Sequence, residues 1–435
     1  MIKQRRRLFA GVAALALAGS AALFVATRSD HSGSPSGSTA AAAQPPGTLT
    51  DTQKLDRKRQ VNVLLAQRAD AVLHGDPKSF LAPVDPTQPA LVARQRTLFV
   101  NLRKFGFSSL RYFVADERKT QALQAKYGPG MFSTRLMMRY QVAGLDTSPV
   151  QTDLGYAFVK RDGKWLIVED GAIDATLSKD GHRQPWDFKE IALVRRGKVV
   201  VVVDKAEVAL GRKIAQNSEG AIAAVRRHWP RPWSDAVMVV AVPEARVMAT
   251  EWNLGTGAGW LIAAKAVTLY DGEPLVTRMT PPVGSRVVVN PSVRKTLEQD
   301  LLVHEMTHVA TVPIGTLAPV WLIEGLAEYV RCHAIEDDPH WTVDPYRKAV
   351  RTKYLPPLKV LPGRAEFDAN SDKSYGQSWW ATEYLASKLG VKGLAALYTD
   401  LAVHDTSSAA YEAILKNHTG KTSAQLAAAV KKFNG

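Results

Sequence analysis

Residues 301–330 read LLVHEMTHVATVPIGTLAPVWLIEGLAEYV, two apolar segments joined by a loop that holds Pro313, Gly315 and Pro319. Both segments carry helical spacing. In the first, His304 and His308 stand four apart and project from one face, one turn above the other, with Glu305 beside the first histidine. That is a metal-chelating arrangement. In the second, Glu324 and Glu328 share a face at the same spacing, while Val320, Ile323, Leu326, Ala327 and Val330 fill the rest of the stripe. Two acids on so apolar a helix are expensive to bury unless they are paired or bound to a cation.

A borderline-soft divalent ion such as zinc takes imidazole nitrogen and carboxylate oxygen, and catalytic sites combine three protein ligands with a water. His304 and His308 are candidates for two of the three. Water held in this way falls to a pKa near 7, and Glu305 is placed to take its proton and later deliver it to a leaving amine. The motif therefore predicts metal-assisted hydrolysis of an acyl bond. An HExxH pentapeptide alone also arises on helices whose histidines are ordinary surface or core residues; the acidic second helix is what shifts the balance.

HEMTH followed by WLIEGLAEY resembles the gluzincin metallopeptidases, most closely the bacterial branch with peptidase MA-like domains. The resemblance is specific from His304 to Tyr329 and diffuse over about Trp186 to Gly435. It implies a zincin-type domain with a mixed sheet, an active-site helix and a helical subdomain. It implies Zn2+ held by His304, His308 and Glu324, Glu305 as the catalytic base, and Glu328 bonded to His304 from behind. It also implies a Tyr or His that stabilises the oxyanion. Tyr375, in SYGQSWW, is the candidate, with His333 and His340 as runners-up. Val309-Ala310-Thr311 excludes the third histidine of metzincins. The Gly-x-Met-Glu-Asn segment of related aminopeptidases is missing, which points to an endopeptidase.

Outward from the motif towards the N-terminus, Glu190 to Val203 predicts a hairpin turning at Arg196-Gly197-Lys198. Ala206 to Trp229 predicts a helix, and Val237 to Val242, Trp260 to Tyr270 and Arg286 to Val289 predict strands. Arg286 to Val289 is read as the sheet edge on which an extended peptide would pair. Asn290-Pro291 reads as the start of the motif helix, Asn as N-cap and Pro at the first position. Gly255 to Gly259 lacks the Gly-Lys-Ser/Thr of a phosphate loop and reads as a plain loop. Towards the C-terminus, Ser374 to Leu389, Ser408 to Lys416 and Thr422 to Phe433 have helical spacing. Strands followed by helices make this an α+β domain over residues 186–435.

Residues 51–175 form a second α+β unit. A helix runs from Asp51 to Gly75-Asp76-Pro77, and strands follow at Ser109 to Ala115, Thr134 to Val142, Leu154 to Val159 and Trp165 to Glu169. The last two strands meet at Asp162-Gly163, a strong hairpin signal. This order resembles the cone-shaped fold of the ketosteroid-isomerase and nuclear-transport-factor superfamily, which carries no function by itself. Asp146 and Asp153 read as turn and surface acids.

The N-terminus reads as an address. Lys3, Arg5, Arg6 and Arg7 precede an unbroken apolar run from Leu8 to Ala26, so residues 1–28 are a cleaved signal peptide or an uncleaved anchor, and the rest is exported. Residues 29–50 are Ser-, Gly-, Pro- and Ala-rich and read as a flexible tether. The chain carries a formal charge of +15, and removing the four cations of the run leaves +11. Such a charge favours an anionic cell-envelope polymer or membrane surface beside the peptide or protein substrate. Scattered basic residues and the lack of a binding motif argue against nucleic acid. Cys332 is the one cysteine, so no intramolecular disulfide forms, and it reads as a buried inert thiol. A reading from another class is a catalytically silent pseudo-peptidase serving as an envelope adaptor; the four residues His304, Glu305, His308 and Glu324 show no decay towards it.

Overall fold

The computed structural model describes residues 49–118, 120–171, 173–177, 183–247, 263–271, 282–337, 342–404 and 408–435. The N-terminal address, the tether up to residue 48, the loop Gly255 to Gly259 and His340 lie outside them. The described chain is mixed α+β with two sheets. None of its helices is long and apolar enough to cross a membrane.

The first helix, Asp51–His74, begins at a capping box. Thr50 accepts from the Gln53 backbone N–H while the Gln53 side chain accepts from the Thr50 N–H, and Gly75 ends the helix at φ 80°. The helix Pro89–Phe105, not anticipated from the sequence, follows with Pro in its first turn and buries Leu91, Leu98, Leu102 and Phe105. Four antiparallel strands then form a sheet in chain order: β1 (Phe107–Glu117), β2 (Phe132–Val142), β3 (Val150–Arg161) and β4 (Lys164–Glu169). Asp162 at φ 49° and Gly163 at φ 76° supply the left-handed pair that a tight β3–β4 hairpin requires.

The second sheet has strands β5 (Ile191–Arg196), β6 (Val199–Asp204), β7 (Val237–Val240), β8 (Ala264–Tyr270) and β9 (Pro282–Val289), in the order β5-β6-β7-β9-β8. β6, β7 and β9 run parallel, and β5 and β8 flank them antiparallel. Strand alternation splits this sheet between two cores. Val199, Val201, Val203, Val237, Val239 and Val287 pack with the helix Val208–His228 and the motif helix. Val200, Val202, Met238, Val240 and Val288 pack instead with the N-terminal helices and sheet. A strand buried on both faces reads as a continuous apolar run, which is why β6 is VVVVV. Trp186 lies in the same joint, edge-on to Phe105 and Tyr140 at centroid distances of 4.8 and 5.2 Å.

Three local readings change. β9 lies between β7 and β8, so the sheet edge is β8 and not Arg286 to Val289. Asn290 does not cap the motif helix, which spans Gln299–Thr311 with Glu298 as N-cap. The Asn290 side chain accepts from the Ser292 N–H at 3.0 Å and the Ser292 hydroxyl at 2.8 Å, an Asx turn that competes with helix initiation. Asp146 is not a surface acid: it is buried and paired with Arg286. Asp153 pairs with Arg135 at 3.1 Å on a partly exposed face. Beyond the motif, Val320–Glu336 is a helix that crosses the long C-terminal helix Ser371–Val403, which breaks at Gly390 with φ 66°. Ser408–Thr419 and Ser423–Lys432 complete the chain.

Candidate metal centre

The motif helix is buried from Leu301 through Thr311 except at His308, because it lies between the sheet and the helix Val320–Glu336. This sandwich brings the two histidines against the second-helix acids. His304 Nε2 and His308 Nε2 face each other at 3.1 Å, and Glu324 Oε2 stands 3.4 Å from each. Among the described residues these three form the one cluster with metal-ligand composition.

The donor set fits a small divalent ion. Metal bonds of about 2.0–2.1 Å in a tetrahedron separate neighbouring ligand atoms by about 3.3 Å, which the triangle of 3.1, 3.4 and 3.4 Å matches. Glu324 Oε2 is buried and has no hydrogen-bond partner among the described residues, a costly position for a carboxylate oxygen with nothing to bind. Residues Glu305, His308, Glu324, Thr311 and Tyr398 line one cavity with residues of β8, so two of the three donors, His308 and Glu324, face a space that a ligand can enter.

Glu328 lies behind His304. Its Oε1 stands 2.8 Å from His304 Nδ1, so Nδ1 donates to Glu328 and Nε2 is the nitrogen turned to the cluster. The acid is itself held. Arg331 donates Nη1 to Glu328 Oε1 at 3.2 Å, and Nε and Nη2 to Asp300 Oδ2 at 3.1 and 2.7 Å. Burial disfavours the His304 cation, yet the facing carboxylates of Glu324 and Glu328 outweigh it and bring the pKa up to about 10. Burial likewise raises Glu324, but the facing histidines pull it down to about 2. Arg331 and His304 together hold Glu328 below the usual carboxylate range despite its burial.

Glu305 turns towards the sheet edge. Its Oε2 accepts the Ala266 backbone N–H of β8 at 2.7 Å, while Oε1 is buried with no partner among the described residues. Tyr375 is buried, its ring T-shaped to His304 at 6.0 Å and to Phe367 at 5.1 Å. The tyrosine that lines the cavity is Tyr398, whose phenol burial pushes up to about 12 despite a hydrogen bond with Thr311. His333 is engaged elsewhere, 3.2 Å from Glu383 and packed on Tyr329. Cys332 is buried and its thiol pKa is pushed up by that burial.

Sequence reasoning missed Arg331, Asp300, Ala266 and Tyr398. Arg331 carried one usable signal, an arginine three residues after Glu328 on an apolar helix. Asp300 carried another, its place one turn before His304 on the motif helix, while Ala266 and Tyr398 reach the site only through tertiary packing. No protein-family model and no curated protein matches this chain.

Proposed function

We propose that the protein is an exported zinc-dependent peptidase of gluzincin type, an endopeptidase acting on peptide or protein substrates. The observation that carries this reading is the triangle of His304 Nε2, His308 Nε2 and Glu324 Oε2, with edges of 3.1 to 3.4 Å. In the proposed architecture residues 186–435 are the zincin-type domain. Residues 51–175 are a cone of the ketosteroid-isomerase and nuclear-transport-factor type, supported by a long helix beside a four-stranded antiparallel sheet. Export rests on the basic-apolar N-terminus, which is either cleaved or kept as an anchor. The net positive charge supports an anionic envelope polymer or membrane surface as a neighbour.

His304, His308 and Glu324 hold the zinc, which when bound lowers the pKa of a water towards 7 and polarises a carbonyl. Glu328, braced by Arg331, keeps the His304 tautomer that offers Nε2. Glu305 takes the proton of the attacking water and returns it to the leaving amine. Among the described residues β8 is the sheet edge beside the site. Because Ala266 directs its N–H outward to Glu305, the backbone of Thr268 two residues on faces the same way and can pair with an extended peptide. Tyr375, its ring beside His304, is the candidate for the hydroxyl that meets the substrate carbonyl oxygen, with Tyr398, which lines the cavity, as its rival.

The test is hydrolysis of an unstructured polypeptide by wild type and by Glu305→Gln. The variant should keep its zinc and lose about 10²-fold or more in kcat. Tyr375→Phe should keep zinc and lose about 10²-fold. Wild type and Glu305→Gln that both bind zinc and are equally inert would favour the adaptor reading.

A further inference from the structure

The sheet face opposite the metal helices is covered by the N-terminal unit, and the joint contains a buried ion pair. Asp146, in the turn between β2 and β3, has a side chain 0 % exposed, against 5 % for Arg286 on β9. The pairing is bidentate: Nη1 donates to Oδ1 at 2.8 Å and Nη2 to Oδ2 at 3.0 Å. Asp146 Oδ2 also accepts the Val142 N–H at 2.9 Å, which ties the acid to the end of β2. Gly284 makes room for it, since a Cβ there would stand 2.4 Å from Asp146 Oδ1.

Two further ties reach the same ribbon. The N–H and hydroxyl of Thr147 both donate to the Val283 carbonyl, at 2.8 and 3.2 Å. Arg139 of β2 pairs with Asp271, immediately after β8. All these contacts land on the β8–β9 ribbon. Among the described residues β8 is an edge strand, held laterally by β9 alone, and its Ala266 N–H holds Glu305. An edge strand is the member of a sheet most easily displaced. A buried ion pair adds little stability over a packed apolar pair, but it fixes orientation and is costly to break.

We infer that the N-terminal unit braces the substrate cleft, with Asp146 and Arg286 as positioning residues that set the place of β8. The geometry stands by itself; its consequence for catalysis rests on the peptidase reading. The brace couples a unit without metal ligands to the strand that would receive substrate backbone.

The test uses the full chain with Asp146→Asn, which keeps the shape and removes the charge, and Arg139→Gln at a partly exposed position. Amide hydrogen exchange, zinc content and kinetics are read together. In both variants zinc should stay at the wild-type level. The amides of Lys265, Val267 and Leu269, which alternate with outward-facing Ala266, should exchange about tenfold faster, with β6 and the motif helix unchanged. KM for an unstructured polypeptide should rise about tenfold, and kcat on a tripeptide too short to lie along β8 should change little. If Asp146→Asn does not fold, Arg139→Gln carries the test. Unchanged β8 exchange, or faster exchange spread evenly over the sheet, overturns the brace. Hydrolysis missing in wild type as well would remove the peptidase reading and leave the exchange result to decide the brace.

Discussion

His304 is enclosed by Glu324 on one nitrogen and Glu328 on the other, so without metal it holds a proton up to a pKa of about 10, against an ordinary value of 6.5. A raised histidine stabilises the fold fully below its unfolded pKa and loses that contribution as pH rises through the folded one. Chelator-treated protein should therefore lose thermal stability between about pH 6.5 and pH 10, while zinc-loaded protein, in which metal replaces the proton at Nε2, should stay nearly level. Parallel melting curves for the two forms would contradict the coupling. The core of the site was legible because its residues lie on two neighbouring helices, where spacing alone sets which side chains share a face. Asp300 stands one turn before His304 on the motif helix, a spacing that does not reveal its partner Arg331, and Ala266 offers only a backbone N–H, which has no signature in residue type or spacing.

Between elements, the crossing of the Glu324 helix with the C-terminal helix is set by Gly325. A Cβ there would stand 2.4 Å from the Ser378 carbonyl oxygen and 2.5 Å from Thr382 Oγ1, so the neighbouring backbone must move to admit any side chain. Gly325→Ala should destabilise the protein by about 1–3 kcal/mol, read from the denaturant midpoint, although alanine is the better helix former. A midpoint at or above wild type would show that the crossing gives way freely. Hairpins and most helices were readable because turn residues and apolar period are local, as at Asp162-Gly163 and Gly75. Strand order was not: β9 reads as an edge until β8 is seen beside it, since lateral neighbours are fixed by the whole sheet. Asn290 misleads for a local reason, because its side chain serves an Asx turn as well as it would a cap.

Across the whole molecule the two sequence units share one interface. Val200, Val202, Met238, Val240 and Val288 are each at most 3 % exposed because the N-terminal unit covers them. A fragment starting at residue 186 would expose that apolar face, so it should be recovered as aggregate while the full chain stays soluble. A monodisperse, zinc-loaded fragment would show that the cover is dispensable. The apolar alternation that builds this joint was visible as VVVVV in β6, but which unit would cover each face was not, because burial on both sides leaves no polar register to read. Metal content is the most direct test: the full chain and its His304→Ala variant are purified without chelator or added zinc, and bound metal is measured per chain. The wild type should carry about one zinc and the variant almost none. Wild-type protein without metal, or equal metal in both, would contradict the account.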